Sequence, residues 1–299
     1  MAERVLVSGV TGFVGQRLAA ELVSAGYEVD GLSRDPDRAK ATVPALREAL
    51  RPDALDGAAL EDITAVVHLA GESVSGRWTE AKKRRILASR VDGTRRIVDA
   101  IAAAETKPEV LVSASAMGYY GSRGDDELAE DEPPGDDFLA SVCVAWEREA
   151  LRAAEHGVRV VRLRIGLVLG ADGGALEAML TPFKLGLGGK IGPGTQWWSW
   201  IHLDDLVRLA VEAVSNDALE GAYNAVSPQP VRQKEFAETL AAVLGKPAFV
   251  PAPAFAIKAA LGGFAVELLA SRRLVPKRAR QQELWFRHTD LEATLRDLL

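Results

Sequence analysis

The chain has 299 residues, 48% hydrophobic and 26% charged, with a formal net charge of −6 at pH 7. Mild acidity argues against a nucleic-acid partner, and a single cysteine excludes an intramolecular disulfide or a cysteine metal cluster. No apolar run reaches a membrane span and no signal peptide precedes the first strand pattern, so the expectation is a cytoplasmic monomer or homodimer that handles a small-molecule substrate, with no membrane partner and no metal.

"RVLVSG" (Arg4 to Gly9) is an apolar run closed by glycine, which predicts a buried strand. Leu18, Leu22 and Val23 then recur at helical spacing as far as Gly26. "YEVDGLSR" and "AVVHLAG" (Ala65 to Gly71) predict two more strands. A long helix is expected between Thr79 and Glu105, with Ile86, Leu87, Val91, Ile97, Val98 and Ile101 at helical spacing. Its basic run Lys82, Lys83, Arg84 and Arg85 reads as a solvated face. "EVLVSAS" (Glu109 to Ser115) is a strand, "FLASVCVAWERE" (Phe138 to Glu149) a helix, and "VRVVRLRIGLVLG" (Val158 to Gly170) contains another strand. Strand and helix alternate, which predicts a Rossmann-like α/β fold with a doubly wound parallel sheet over residues 1–170. Residues 171–299 are expected to form a smaller C-terminal substrate lobe, except for sheet-completing segments from about 200–230. Helices are expected at Ala175 to Phe183, at Gln233 to Leu244 and in the tail "DLEATLRDLL", with a short strand at Ala222 to Ser227.

"VLVSGVTGFVGQRL" places Gly9, Gly12 and Gly15 between the first strand and its helix. Residues without Cβ permit the tight turn and the close approach of a pyrophosphate, and the helix N-terminus supplies donors. The position after the first strand of an alternating pattern makes this a dinucleotide signal rather than an ordinary turn. The second strand ends "GLSRDP". An acid there would hold a ribose 2′-hydroxyl, whereas Ser33 and Arg34 suit a 2′-phosphate and Asp35 comes one place late. NADP(H) is the expected cofactor.

These stretches together resemble a known family. "SGVTGFVG", "HLAG", "SRVDGT", "SASAMGYYG", "RLRIGLVLG" and "WIHLDDL" fall in the order of the extended short-chain dehydrogenases/reductases. "GLGGKIGPGTQWWSWIHLDDL" and "VPAPAFAIKAALG" are similar to an atypical, epimerase-like branch of them. The resemblance implies that the backbone of Gly9, Thr11, Gly12, Phe13, Val14 and Gly15 holds the pyrophosphate and that Ser33 and Arg34 hold the 2′-phosphate. It further implies that Leu69, Ala70 and Gly71 line the adenosine side, with Ser113 at the end of its strand. Ile165 and Gly166 stand near the nicotinamide, where the family usually has proline and glycine. Arg90 replaces a frequent asparagine and would reach phosphate or ribose as a cation.

The same resemblance exposes a gap. Active members carry tyrosine and, one helical turn later, lysine on the helix after the serine-bearing strand, so that both face the cofactor. If Glu147 matches the family's following glutamate, those two places hold Leu139 and Cys143. Leucine has no proton to give, and Cys143 shares an apolar face with Leu139, Val142 and Trp146, where free cysteine behaves as a small hydrophobe. The remaining catalytic candidates are Ser115, at the place of the family's serine, and Tyr119 or Tyr120 just beyond it. Lys184, Gln196, Trp197 and Trp198 are candidates for the substrate cavity, although the tryptophans could equally be core. His202 in "WIHLDDL" reads as structural. Two functions stay open: an NADP(H)-dependent oxidoreductase or epimerase with a rearranged proton donor, and a cofactor-binding sensor or regulatory protein without turnover.

Overall fold

In the computed structural model, which describes residues 3–299, seven parallel strands form one twisted sheet. The first half of the chain runs β1 (Arg4–Ser8), α1 (Phe13–Ser24), β2 (Glu28–Leu32), α2 (Pro36–Thr42), β3 (Glu48–Leu50), β4 (Ile63–His68), α3 (Glu80–Ala103) and β5 (Val110–Ala116). It continues with β6 (Glu127–Leu128), α4 (Phe138–Leu151), β7 (Arg159–Ile165), β8 (Leu167–Leu169) and α5 (Gly174–Lys184). Next come β9 (Trp197–Trp198), β10 (Trp200–His202), α6 (Leu203–Ser215), β11 (Gly221–Ala225), β12 (Val231–Arg232) and α7 (Gln233–Val243). The chain closes through α8 (Ala254–Leu261), α9 (Ala265–Leu269), β13 (Arg273–Leu274), α10 (Lys277–Gln281) and α11 (Leu291–Leu298).

The sheet order is β11-β7-β5-β4-β1-β2-β3. The chain therefore builds outward from β1 in one direction and then restarts at β4 in the other, as a doubly wound sheet does. Its strands are apolar because both faces are covered. On one face, Leu18 and Leu22 of α1 pack with Leu206, Val207 and Ala210 of α6 against Val5 and Val7. On the other, Ile97, Val98 and Ile101 of α3 lie with Ala150 of α4 against Leu6, Val66 and Leu111. α6 and β11 thus belong to the sheet layers although they follow the glycine-rich stretch.

The strand expected at Ala222 to Ser227 forms as Gly221–Ala225 and pairs with β7 at the sheet edge. β3 was not expected from the sequence, because three residues with a charged start carry no alternation. "RLRIGLVLG" is two strands: β7 stays in the main sheet, while β8 pairs with β10. The break is at Gly166, where a Cβ would lie 2.7 Å from the Ser199 carbonyl oxygen. A separate cluster joins α5, α7 and α11 with Trp198 and Trp200, while α10 packs through Ala279 on the main core and β13 pairs with β6.

Candidate functional site

The carboxyl ends of β1 and β4 face each other where the winding reverses, and such a crevice is where open α/β sheets bind their ligands. Gly9 has φ +72, and a Cβ on it would lie 2.9 Å from the Ala70 amide nitrogen, so the two loops touch only because Gly9 has no side chain. Gly15 packs as closely on the Gly9 carbonyl, which brings α1 against the turn. Gly12 is the N-cap of α1, and no side chain caps that helix. Its first amides remain available to an anion at the positive end of the dipole. The turn, Thr11 and Val14 therefore fit a pyrophosphate. Phe13 does something else: its ring lies where Cβ atoms on Gly170, Gly173 or Gly174 would fall, at 2.6–2.8 Å. The glycine-rich "GADGG" stretch leaves the space that seats this ring.

At the end of β2, Arg34 is exposed, and its carbonyl accepts a hydrogen bond from Arg51 Nη1 at 3.0 Å. The Ser33 hydroxyl donates to the Asp35 carbonyl at 3.0 Å. Asp35 is turned into the next helix as its N-cap, where Oδ1 accepts from the Arg38 amide at 3.1 Å. The other acid of this strand, Asp30, is buried mid-strand between Arg4 at 3.0 Å and Arg47 at 2.7 Å. Both carboxylates are thus committed elsewhere, and the end of β2 presents a guanidinium. That pattern fits a 2′-phosphate.

Below Leu69, Ala70 and Gly71, His68 is fully buried with Nδ1 2.6 Å from the Ser8 hydroxyl oxygen. Burial, with Arg90 adding to it, lowers the His68 pKa to about 4, so the ring is neutral. Arg90 reaches from α3 to Gly71, donates Nη1 to the carbonyls of Glu72 at 3.0 Å and Ile86 at 3.2 Å, and lies 5.1 Å from the Trp146 ring centre. Burial lowers its pKa, and Cys143 and Glu72 oppose that shift. The basic run at the start of α3 is spent on surface pairs, Lys82 and Arg85 with Glu72 and Lys83 with Glu80.

α4 is built as the sequence suggests, capped by Asp137, with Leu139, Val142, Cys143 and Trp146 on its buried face. Leu139 packs with Ile86 and Val142 beside Val74, Trp78 and Phe138. A side chain on Gly118 would touch both Leu139 and Cys143. Burial pushes the Cys143 thiol up to about 12, Glu147 adds to this, and Arg90 and Arg272 only partly oppose it. The thiol is protonated and enclosed, so it is no nucleophile at neutral pH.

The three catalytic candidates are drawn together, but around Arg164 rather than around the cleft. Ser115 is 3% exposed, and its hydroxyl donates to Glu147 Oε1 at 2.7 Å. Arg164 donates Nε to the same oxygen at 2.9 Å and Nη2 to Oε2 at 3.1 Å, while Arg162 Nη1 reaches Oε2 at 2.9 Å. Burial opposes the Arg164 charge, but Glu147 more than offsets it and raises the pKa. Tyr120 has no exposed surface; its hydroxyl donates to Asn224 Oδ1 at 2.7 Å and accepts from Arg164 Nη1 at 2.8 Å. Burial raises its pKa, and its proton is committed to Asn224 out of reach of solvent. Tyr119 is half-buried, with the Arg164 guanidinium 3.5 Å from its ring centre. Ser113 is buried one pleat earlier and donates to the Ala114 carbonyl at 3.2 Å. At the end of β5, it is Ala116 and Met117 that remain partly exposed.

The substrate-cavity candidates do not converge. Lys184 is exposed on α5, and Trp198 is core against Phe236 at 5.3 Å. Gln196 is buried and ties the carbonyls of Ile191 and Leu268 at 3.0 and 3.1 Å. Trp197 lies between Arg232 and Arg273, with its indole N–H on Asp125 at 3.1 Å. A further aromatic group forms around Trp78, with Phe138 at 5.4 Å and Phe264 at 6.3 Å, beside Leu139. It joins three distant chain segments, so no local pattern announces it. His202 caps α6 by accepting the Asp204 amide at 3.0 Å and stacks on His288 at 3.7 Å. His202, Asp204 and His288 hold ligand-type atoms within 4.8 Å of one another, a grouping the sequence reading did not foresee.

A doubly wound sheet with a glycine turn and an uncapped helix at its switch point defines a dinucleotide-binding protein. The model of the NAD dependent epimerase/dehydratase family matches residues 5–225, and the chain belongs to that family. A domain of unknown function, DUF1731, matches residues 252–298. An Arabidopsis thaliana relative described as "Epimerase family protein SDR39U1 homolog, chloroplastic" is 40% identical over 99% of this chain and 86% of its own length. The crystal structure of human epimerase family protein SDR39U1 (isoform 2) with NADPH is similar with a TM-score of 0.90 and 35% identity, covering 99% of this chain and 98% of that one. MoeE5 in complex with UDP-glucuronic acid and NAD matches at a TM-score of 0.78 and 25% identity, over 98% and 96% of the two chains. No described helix of the present chain is long and apolar enough to cross a membrane.

Proposed function

We propose that this chain binds NADP(H) at the switch-point cleft and serves as an oxidoreductase or epimerase without the usual tyrosine–lysine pair. The observation that carries the cofactor is the end of β2, where Arg34 is exposed and both nearby acids are turned away. The human relative solved with NADPH supports the same choice. The turn from Gly9 to Gly15 would hold the pyrophosphate, Arg34 with Ser33 the 2′-phosphate, and Arg90 would reach phosphate or ribose. Leu69, Ala70, Gly71, Ile165 and Gly166 would shape the walls. The cofactor supplies hydride chemistry when bound. On the protein side, α4 offers an aliphatic and a protonated thiol where a relay would stand, so a proton reaching the substrate oxygen comes from another group, with half-buried Tyr119 the remaining candidate, or from solvent.

One observation favours the second reading, a sensor or regulatory protein without turnover: the Ser115 hydroxyl is spent on Glu147. The test separates the two. NADPH binding is measured by fluorescence, its oxidation is followed against a panel of small carbonyl compounds, and, because epimerisation consumes no net cofactor, turnover of sugar nucleotides with NADP+ is followed by product analysis. Tight NADPH binding with turnover supports the enzyme, and tight binding with none supports the sensor. Failure to bind NADPH overturns both.

A further inference from the structure

A polar cavity of about 370 Å³ lies between β7, β11 and α10, with none of the glycine-turn or β2-end residues in its lining. Arg162, Arg164, Lys277 and Arg278 line it with Glu130 and Asp131. Arg162 stands three residues before the end of β7, paired with Ser113 on one side and Ala222 on the other. That is about 10 Å of strand below the end that faces the cleft. The volume is within the range of small-molecule sites.

The carboxylates near this cavity are already engaged. Asp131 pairs with Lys277 at 2.9 Å. Glu130 accepts the backbone amides of Asn224 at 3.0 Å and of Arg278 at 3.2 Å. Glu147, behind the wall, has both oxygens taken by Arg162, Arg164 and Ser115. The cations are less well matched. Arg162 shares one carboxylate with Arg164, and its Nε is buried without a partner. Arg278 gives Nη1 to the Ala222 carbonyl at 3.1 Å and lies 4.7 Å from the Tyr223 ring centre, and among the described residues its guanidinium has no carboxylate partner. Arg162, which shares its one carboxylate, and Arg278, which has none among the described residues, thus border one cavity beside the Lys277–Asp131 pair. A buried donor left unpaired is costly, and planar guanidiniums match oxyanions through two parallel bonds. Burial lowers the Arg162 pKa; the Glu147 carboxylate opposes that shift, and Arg164 adds to it.

We propose that this cavity is a second ligand site, which binds the phosphate group of a small phosphorylated metabolite through Arg162 and Arg278, with Lys277 at its rim. It is independent of the cofactor reading, because no residue of the glycine turn or of the β2 end takes part.

The full chain, saturated with NADPH so that the cleft is filled, is titrated with inorganic phosphate and with glycerol phosphate. Chloride is adjusted to hold ionic strength constant, and thermal stability is the readout. Wild type should be stabilised by phosphate beyond chloride, and Arg278→Gln should weaken phosphate by about tenfold or more. Arg34→Ala should leave this response unchanged. If Arg278→Gln fails to fold, Lys277→Gln at the exposed rim should still weaken the response. A larger effect of glycerol phosphate identifies an ester as the ligand, and an equal one the free ion; both agree with the site. Equal responses of wild type and the cavity variants, or no effect beyond chloride, would overturn it.

Discussion

The Ser115 hydroxyl donates to Glu147 Oε1 at 2.7 Å, in a buried network that also holds Arg162 and Arg164. β5 brings the serine to the height expected of a substrate-holding group, but α4 supplies a carboxylate that accepts its hydrogen bond. Ser115→Ala should therefore act on stability. A hydrogen bond to a buried charge is worth about 1.5–3 kcal/mol, and urea unfolding should show a loss near the lower end, since two arginines still hold Glu147. NADPH affinity should not change. Unaltered stability with loss of any measured turnover would return Ser115 to the substrate.

Restoring the usual pair with Leu139→Tyr and Cys143→Lys should not create carbonyl reduction. Gly118 packs on both positions, and Arg90 and Arg272 already act on the Cys143 sulfur. A lysine ammonium placed there is stripped of water on an apolar face, and Arg90 and Arg272 offset part of the attraction of Glu147, so it will lose its proton or disrupt the helix packing. Circular dichroism and NADPH oxidation on the double variant check this. A stable, active double variant would show that the site keeps room and polarity for the relay.

The doubly wound sheet and the glycine turn were legible because each rests on local pattern: period, punctuation and position after a strand. The apolar face of α4 was equally plain, and so was the role of Cys143 on it. What could not be read was how side chains pair across the sheet. Ser115 and Tyr120 look free in sequence; only the register that places Arg164 beside Ser115 and Asn224 shows where their hydroxyls go. Glu147 served as an alignment marker, yet it is the hub of that network. The glycines of "GADGG" read as loop composition, whereas they seat a ring from more than 150 residues earlier.

His68 gives a pH signature. Its pKa falls from the ordinary 6.5 to about 4, with burial the main cause. Protonation then favours the unfolded chain, so the stabilising contribution is whole above about pH 6.5 and is lost as pH falls through 4. Its size is on the order of 1–3 kcal/mol. Urea unfolding between pH 4 and 7.5 should show a steeper decline for wild type than for His68→Gln. Parallel curves would mean that His68 keeps an ordinary pKa in the fold.

Cofactor choice is the claim most open to measurement. Arg34 is exposed at the end of β2, while Asp35 caps α2 and Asp30 is locked between two arginines. The strand end therefore offers a 2′-phosphate a guanidinium and keeps carboxylates away from it. Removing that group with Arg34→Ala should weaken NADPH by about one to two decades, the value of one charge-assisted contact of roughly 1.5–3 kcal/mol. NADH, which lacks the phosphate, should bind the variant and wild type alike. The NADPH advantage of wild type should also shrink with added salt, because an exposed phosphate–arginine contact is screened within about 10 Å at 0.1 M. Calorimetric titration of both cofactors into both proteins at two ionic strengths reads all three effects. Equal affinity of wild type for NADH and NADPH, or an equal loss of both in the variant, would show that Arg34 does not read the phosphate, and the choice of NADP(H) would fall while the dinucleotide site stood.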